Sequence, residues 1–329
     1  MAQPAADQSA SPEQLHEAIA AIRDAIGQVI VGQHPLVDRL LVALLTNNHV
    51  LIEGVPGLAK TLTVQTFSQV LHASFSRVQF TPDLLPADIT GTLIFNPRDG
   101  DFAVRRGPIF VNIVLADEIN RAPAKVQSAL LEAMQERQVS IGGETYPLPD
   151  PFMVLATQNP IEQEGTYPLP EAQLDRFMLK ILVDYPGRED ERVILARALD
   201  EPTPSIQPVV GPEEIAALRS AVRAVEVNDS LREYILRLVE STRDPARYRL
   251  EELAPLIEFG ASPRAATFLA RGAQAYAFVH GRDYATPDDV KELAPDVLRH
   301  RLVLSYEAEA QSVSAEDLVS RLLGGVGIP

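Results

Sequence analysis

The sequence predicts an α/β fold, with a parallel sheet between layers of helices, followed by a smaller domain built from helices. Short apolar runs bounded by turn residues alternate with amphipathic helical stretches, and a glycine-rich loop joins one such run to the next helix. Strand-like runs then become rare after Asp184. Because 329 residues exceed what one hydrophobic core usually organises, we expect two domains.

Four apolar runs have the length and the flanking turns of buried strands, at residues 49–52, 110–115, 152–156 and 177–183. Helical spacing of apolar residues covers 15–26, 36–45 and 124–137, as alternation in a parallel sheet requires. Farther on, Ser262-Pro263 and Thr286-Pro287 have the pattern of a helix N-cap followed by proline, and Asp289 adds a capping-box acid. We therefore predict a disordered tail at 1–12, an α/β domain at 13–185 and a helical domain at 186–329.

Composition and charge exclude several classes of protein. The chain has 29 basic and 45 acidic residues, a net charge of -16, which argues against unaided binding to nucleic acid. It has no cysteine, and so neither disulfides nor thiolate metal sites. No apolar run approaches the roughly 20 residues of a membrane helix, and the N-terminal residues lack the features of a signal peptide. We expect a folded, cytoplasmic protein without a membrane span.

The strongest functional signal is the segment EGVPGLAKT, which follows a predicted strand and opens a predicted helix. Glycines let backbone N–H groups turn toward phosphates, Lys60 supplies a cation, and the Thr61 hydroxyl is a ligand for Mg²⁺. Ala59 stands where the usual pattern has glycine, and alanine resists positive φ. An ordinary turn before a helix is the alternative, and the strand–loop–helix context disfavours it. The residues expected to surround the nucleotide phosphates are Gly54, Val55, Pro56, Gly57, Leu58, Ala59, Lys60, Thr61 and Leu62.

Acidic and amide side chains follow two other predicted strands. Asp117 and Glu118 come after one apolar run, and Asn159 comes after the next. The carboxyl ends of parallel strands meet at one edge of a sheet, where nucleotides bind. We expect Asp117 to hold Mg²⁺, Glu118 to orient the attacking water, and Asn159 to hydrogen-bond that water or the γ-phosphate. Alone, the acidic pair also suits a solvated helix start, and Asn-Pro suits a turn.

Two arginines complete the candidate set. Arg264 lies in the predicted first turn of a helix, where a cation is unfavourable unless an anion is near. Arg176 lies in the segment LDRF before the last predicted strand. A γ-phosphate would supply the anion, although an isolated arginine in so acidic a protein also suits a surface ion pair.

These stretches, in this order and followed by a helical domain, resemble the MoxR family of AAA+ ATPases. The similar segments are VIVGQ at 29–33, HVLIEGVPGLAKT at 49–61, FTPDLLP at 80–86, LADEINRA at 115–122, TQNP at 157–160 and EAQLDRF at 171–177. The resemblance covers residues 15–325, and alanine at the Ala59 position is usual in the family. It implies an AAA+ P-loop NTPase core with a helical lid, and Val31 and Gly32 beside the adenine. It also makes Asp117 and Glu118 the Walker B pair, Asn159 sensor 1, Arg176 the arginine finger and Arg264 sensor 2.

Two further segments are candidate β-hairpins. One spans residues 91–107 with a turn at 97–100, and the other spans 138–148 with a turn at Gly142-Gly143. By the resemblance they are the helix-2 insert and the pre-sensor-1 hairpin. Such hairpins face the pore or the substrate in related rings, so we expect them to contact a client protein.

The predicted function is Mg²⁺-dependent hydrolysis of ATP in a ring, by resemblance a hexamer, that remodels or matures client proteins as a chaperone does. The resemblance also implies a partner with a von Willebrand factor A domain. One alternative is a DNA-associated motor, with Arg98, Arg105 and Arg106 as candidate phosphate contacts. The other is a nucleotide-gated scaffold with little turnover, which would not require the water-orienting Glu118.

Overall fold

The structure is a computed structural model that describes residues 11–55, 57–98, 100–160, 165–200 and 205–328. The predicted tail lies outside these residues except for Ser11 and Pro12, at which the first helix already begins. Ser11 is the N-cap of the first helix and accepts a hydrogen bond from the Gln14 N–H at 3.3 Å, while Pro12 is the first helical residue. Helix formation therefore begins inside the predicted tail, at a capping box.

Helices and strands alternate through the first half of the chain. The strands are β1 (Val50–Glu53), β2 (Phe75–Gln79), β3 (Gly91–Asn96), β4 (Asp101–Arg106), β5 (Ile113–Asp117), β6 (Gln138–Ile141), β7 (Glu144–Pro147), β8 (Met153–Gln158), β9 (Leu179–Leu182), β10 (Ile257–Phe259) and β11 (Val303–Leu304). The helices are α1 (Pro12–Gly27), α2 (His34–Leu45), α3 (Lys60–Val70), α4 (Pro86–Thr90), α5 (Ala124–Glu136), α6 (Glu171–Leu174), α7 (Arg188–Asp200), α8 (Pro212–Ala224), α9 (Asp229–Ser241), α10 (Pro263–Val279), α11 (Pro287–Leu298), α12 (Tyr306–Ala310) and α13 (Ala315–Gly325).

A five-stranded parallel sheet with the order β2-β5-β8-β1-β9 forms the centre of the first domain. Its register brings Gln79 opposite Asp117 and Glu53 opposite Gln158. The carboxyl ends of these strands therefore lie at one edge of the sheet, which is where a doubly wound sheet binds its ligand.

The predicted α/β fold is confirmed, with two local differences. The run at 110–115 becomes strand only from Ile113, and the Asn112 N–H donates to the Ser74 hydroxyl at 2.9 Å rather than to the backbone of a neighbouring strand. Strand β2 was not predicted. It carries polar residues at Ser76, Arg77 and Gln79, as suits an edge strand that is only partly buried.

Apolar residues of the strands alternate between two buried clusters, one on each face of the sheet. Val50, Ile52 and Leu115 belong to the cluster that includes α1, α2, α3 and the second domain. Leu51 and Val114 belong to the cluster on the side of α5 and the hairpins. A sheet covered on both faces needs strands that are apolar at every position, which is why these strands appear as continuous apolar runs.

The second part of the chain is helical apart from the short antiparallel pair β10–β11. Ser262 and Thr286 are N-caps followed by proline, and Asp289 completes the capping box, as predicted. Buried Arg219 of α8 donates to the Leu44 carbonyl at the end of α2 at 2.9 Å, so this helix is tied to the first domain. The division at 185/186 remains a prediction.

Both predicted hairpins form. Strands β3 and β4 pair from Gly91–Arg106 to Asn96–Asp101, and β6 pairs with β7 across Gly142 and Gly143, both of which have positive φ. Asp99, in the segment between β3 and β4, lies outside the described residues. Throughout the described ranges, no helix is both long enough and apolar enough to cross a membrane.

Candidate nucleotide-binding site

A cavity of about 410 Å³ opens at the carboxyl edge of the sheet, between the loop after β1 and the ends of β5 and β8. The residues that line it are Gly57, Leu58, Ala59, Lys60, Thr61, Leu62, Arg77, Asp117, Glu118, Thr157, Gln158 and Asn159. Four parts of the sequence that are far apart along the chain thus contribute to one cavity. Most of the predicted phosphate and metal residues are among them, while Pro56 lies outside the described residues.

The loop takes its shape from residues with unusual backbone angles. Gly57 has φ +88° and Ala59 has φ +54°, so alanine adopts the left-handed conformation that its side chain disfavours. Gly54 is required for a different reason, because an added Cβ would lie 2.6 Å from the Val183 carbonyl oxygen. The loop ends where α3 begins at Lys60, so its N–H groups lie at a helix N-terminus.

Lys60 lies half-buried in this cavity, where its Nζ donates to the Gly54 carbonyl at 2.5 Å. Burial lowers the pKa of Lys60 below its usual value, while the nearby Asp117, Glu118 and Glu53 act in the opposite direction. The ammonium is therefore held inside the loop, close to where phosphate oxygens would need a cation.

Asp117 ends β5 with both carboxylate oxygens engaged. Oδ1 accepts from the Thr157 hydroxyl at 2.5 Å, and Oδ2 accepts from Nε of Arg77 at 3.0 Å. Together with the Thr61 hydroxyl, this carboxylate provides the hard oxygen donors that Mg²⁺ prefers. Among the described residues there is no cluster of three or more acidic or histidine side chains able to hold a metal alone. A cation here would therefore complete its shell with phosphate and water, as Mg²⁺ does.

Glu118 has φ +56°, the left-handed conformation that is uncommon outside glycine. Its N–H donates to the Thr157 hydroxyl at 2.9 Å. Its Oε2 accepts from Gln79 Nε2 at 2.8 Å and lies 3.0 Å from Nε of Arg121. The strained turn thus separates two adjacent carboxylates, so that each has its own set of partners. Strain of this kind persists only where the surrounding contacts hold it.

Asn159 lies just beyond the end of β8 and is buried, with 7% of its surface exposed, in the wall of the same cavity. The structure thus brings Asn159 together with Lys60 and the Walker B pair, in the way that the sheet-edge argument predicts.

The two arginines do not line this cavity. Arg264, at the start of α10, has Nη1 3.5 Å from Oδ2 of Asp175 and also donates to the Asp175 carbonyl at 3.3 Å. Buried Arg301 and the Ser262 hydroxyl contact the same carboxylate. Arg176 directly follows Asp175 in the sequence. The structure therefore places both arginines in one region, around Asp175.

The residues expected beside the adenine do not line the cavity that contains Lys60. Gly32 has φ +73°, a left-handed backbone conformation that favours glycine, and an added Cβ would lie 2.3 Å from Oδ2 of Asp190 in α7, whose side chain would have to move. Val31 is half-buried. A neighbouring cavity of about 730 Å³ runs along α3, with Val29 and Leu62 in its wall.

Three residues of the site, Arg77, Gln79 and Thr157, are not predicted from the sequence. Arg77 and Gln79 occupy alternate positions of β2 and contact the carboxylates of Asp117 and Glu118, respectively. A strand at 75–79 would place both residues at the sheet edge, but the adjacent polar residues Ser76 and Arg77 break the apolar pattern by which a strand is recognised. The hydroxyl of Thr157 carries no signal of its contact with Asp117 in the sequence.

Comparison with known proteins agrees with this geometry. Residues 49–179 match the family described as ATPases associated with various cellular activities, and residues 251–322 match the AAA lid domain. The chain is 51% identical over 304 residues to "Chaperone MoxR1" of Mycobacterium tuberculosis, covering 92% of this chain and 80% of the relative. It is 30% identical to "Protein MoxR" of Methylorubrum extorquens, covering 95% and 96%.

A solved structure described as a candidate ATPase from Cytophaga hutchinsonii superposes with a TM-score of 0.91 at 50% identity, covering 97% of both chains. The superposed residues therefore include both the sheet and the helical domain of this chain. This chain belongs to the MoxR family of AAA+ ATPases.

Proposed function

We propose that this chain binds ATP with Mg²⁺ in the cavity at the sheet edge and hydrolyses it to ADP and phosphate. The observation that supports the proposal is the convergence of Lys60, Thr61, Asp117, Glu118 and Asn159 on one cavity. The loop and Lys60 would bind the β- and γ-phosphates, and Thr61 and Asp117 would hold the metal. Bound Mg²⁺ supplies positive charge that neutralises the transferring phosphoryl group.

In this mechanism the protein mainly positions groups. Glu118 would orient a water molecule in line with the γ-phosphate and accept its proton, for which Oε1 is suited because Gln79 and Arg121 both contact Oε2. Asn159 would hold the same water or a γ-phosphate oxygen through its amide. The fixed backbone of the loop keeps the N–H donors in place without reorganisation.

We propose that Arg176 and Arg264 act on the nucleotide of a neighbouring subunit. Neither lines the cavity of its own chain, and Arg264 contacts Asp175, the residue beside Arg176. A site completed by a neighbour's cations requires a ring, and family membership suggests a hexamer. Movement of the helical domain would then be coupled to hydrolysis in the adjacent subunit.

We further propose that the ring remodels client proteins. One close relative is named a chaperone. The β3–β4 hairpin exposes Phe95 and Phe102, whose ring centroids lie 5.3 Å apart, and exposed aromatic pairs of this kind suit contact with apolar segments. A protein with a von Willebrand factor A domain is the partner that family membership suggests. The adenine would lie near Val31 and Gly32.

The test is the ATPase rate per subunit as a function of protein concentration, with the mass measured under the same conditions. Activity should rise with assembly. Arg176→Ala should lower the rate by on the order of 10³-fold, as the loss of an arginine finger does, while nucleotide still binds. A rate per subunit that is independent of concentration and of Arg176 would contradict the ring mechanism.

Glu118→Gln separates hydrolysis from binding. We expect at least about a 100-fold loss of turnover with retained nucleotide affinity, because the amide cannot accept the proton of water. Turnover equal to that of the wild type would instead favour the scaffold. Salt-sensitive binding of DNA, lost on replacing Arg98, Arg105 and Arg106, would favour the DNA motor.

A further inference from the structure

Arg77 extends from the edge strand β2 into the cavity that contains Lys60 and Asp117. Its Cα pairs with that of Leu115, two residues before Asp117, so its side chain reaches along β5 to the strand end. Both Nε and Nη2 donate to Oδ2 of Asp117, at 3.0 and 2.5 Å. Half of the Arg77 side chain is exposed, compared with 14% of the Asp117 side chain.

These contacts pair Asp117 with a cation. Asp117 and Glu118 are adjacent carboxylates, and Asp117 already uses Oδ1 to accept from Thr157. The guanidinium of Arg77 balances the charge of the oxygen that remains. Mg²⁺ held by Asp117 would compete with Arg77 for this carboxylate, since two cations at one oxygen repel each other.

Arg77 is held weakly by its other neighbour. Its second described partner is the Gln79 side-chain oxygen, which lies 3.4 Å from Nη2 and carries no charge. A guanidinium released from Asp117 therefore stays in a half-exposed position in the wall of the cavity. Its planar donors suit the bidentate recognition of phosphate oxygens, which a lysine at the same place would not reproduce.

We propose that Arg77 exchanges Asp117 for a nucleotide phosphate when Mg²⁺ and ATP bind, and so acts as a nucleotide-binding residue within its own subunit. This inference rests on the proposed function, because it assigns a ligand to the same cavity. Arg77 thereby has two alternative partners, the Asp117 carboxylate and a phosphate oxygen of the nucleotide.

The experiment is equilibrium binding of a methylanthraniloyl derivative of ATP, followed by fluorescence, with a parallel Mg²⁺ titration at fixed nucleotide. Arg77→Gln should raise the Kd for the ATP derivative about tenfold at saturating Mg²⁺, which corresponds to about 1.4 kcal/mol. It should also lower the half-saturating Mg²⁺ concentration several-fold, because the competitor for Asp117 is gone. Arg77→Lys, which keeps the charge but not the planar fork, should raise the Kd by an intermediate factor.

Arg232→Gln is the matched control, because it removes an arginine whose exposed ion pair with Asp229 lies in the second domain. Its Kd and its Mg²⁺ midpoint should equal those of the wild type. A Kd for Arg77→Gln within twofold of wild type overturns the inference, whatever happens to the Mg²⁺ midpoint. If that variant does not fold, as judged by its circular dichroism, the same criterion applies to Arg77→Lys.

The failure of the proposed function has a different signature. A wild-type chain that binds no nucleotide, or a Lys60→Ala variant that binds it as tightly as wild type, contradicts the site itself. Wild-type binding that depends on Lys60 but not on Arg77 contradicts only the present inference.

Discussion

Gly54 begins the phosphate-binding loop where the backbone passes between the ends of β8 and β9. Its N–H lies 3.4 Å from the Gln158 carbonyl, and the preceding Glu53 accepts from the Val183 N–H at 2.8 Å. An added Cβ would lie 2.6 Å from the Val183 carbonyl oxygen and 3.3 Å from the Val183 Cβ. Because the first of these atoms is a backbone atom of the residue that follows β9, no rotation of a side chain can relieve the contact.

Gly54→Ala should therefore force the loop away from β9. Overpacking of this kind costs about 1–3 kcal/mol, and the lower entropy of the unfolded chain with alanine offsets about 0.4–1 kcal/mol of that cost. We expect a net loss of about 1–2 kcal/mol in the free energy of unfolding. We also expect about a 100-fold loss of ATPase activity, since catalysis by positioning is sensitive to displacements of the order of an ångström.

Urea unfolding and steady-state ATPase assays measure the two effects. Gly27→Ala is the matched control, because nothing lies within 4 Å of its added Cβ. Alanine at this position then changes only the conformational entropy of the unfolded chain, which it lowers. The control should therefore be as stable as wild type or slightly more stable, with unchanged turnover. A Gly54→Ala variant as stable and as active as the Gly27→Ala control would refute the reasoning.

Two further predictions concern stability. Arg219→Met should destabilise the chain by about 1–3 kcal/mol in urea unfolding, because it removes the charged hydrogen bonds that Arg219 donates to the Leu44 carbonyl and to Asp150. The exposed Arg232→Met should cost under about 0.5 kcal/mol, and equal effects of the two changes would contradict this. Burial, with nearby Arg137, lowers the pKa of His49 from 6.5 to about 3, so the unfolded state binds more protons between these values and stability falls as pH falls below 6.5. Between pH 6.5 and 5, the free energy of unfolding of the wild type should fall by about 2 kcal/mol because of His49. In His49→Gln this part of the decrease should be absent, and an unchanged pH dependence of unfolding would contradict the assignment.

His49 also illustrates what local sequence patterns do not show. Its Nδ1 accepts from the Val154 N–H at 3.0 Å, and its Nε2 lies 3.1 Å from the Met134 carbonyl. A donor at one ring nitrogen and an acceptor at the other describe a neutral imidazole that joins β8 to the end of α5. In the sequence, His49 stands only at the start of a predicted strand, and its neighbours along the chain do not indicate that Met134 and Val154 are its partners.

Much of the fold and of the site could be predicted from the sequence. Continuous apolar runs indicate strands that are covered on both faces, and the loop proposed to bind phosphate consists of consecutive residues between β1 and α3. Asp117, Glu118 and Asn159 could be placed at the same edge because the carboxyl ends of parallel strands must meet there. In each case the information lies within a few neighbouring residues or in a general rule of topology.

Tertiary structure decided the rest. Arg77 and Gln79 enter the site only through the pairing of β2 with β5, and their polar side chains conceal the strand that carries them. Arg264 lies against Asp175 rather than in its own cavity because the packing of α10 places it there, across 89 residues of sequence. The physical reason is that the spacing of residues along the chain determines local conformation and burial, whereas the partners of a long charged side chain depend on which elements pack beside it.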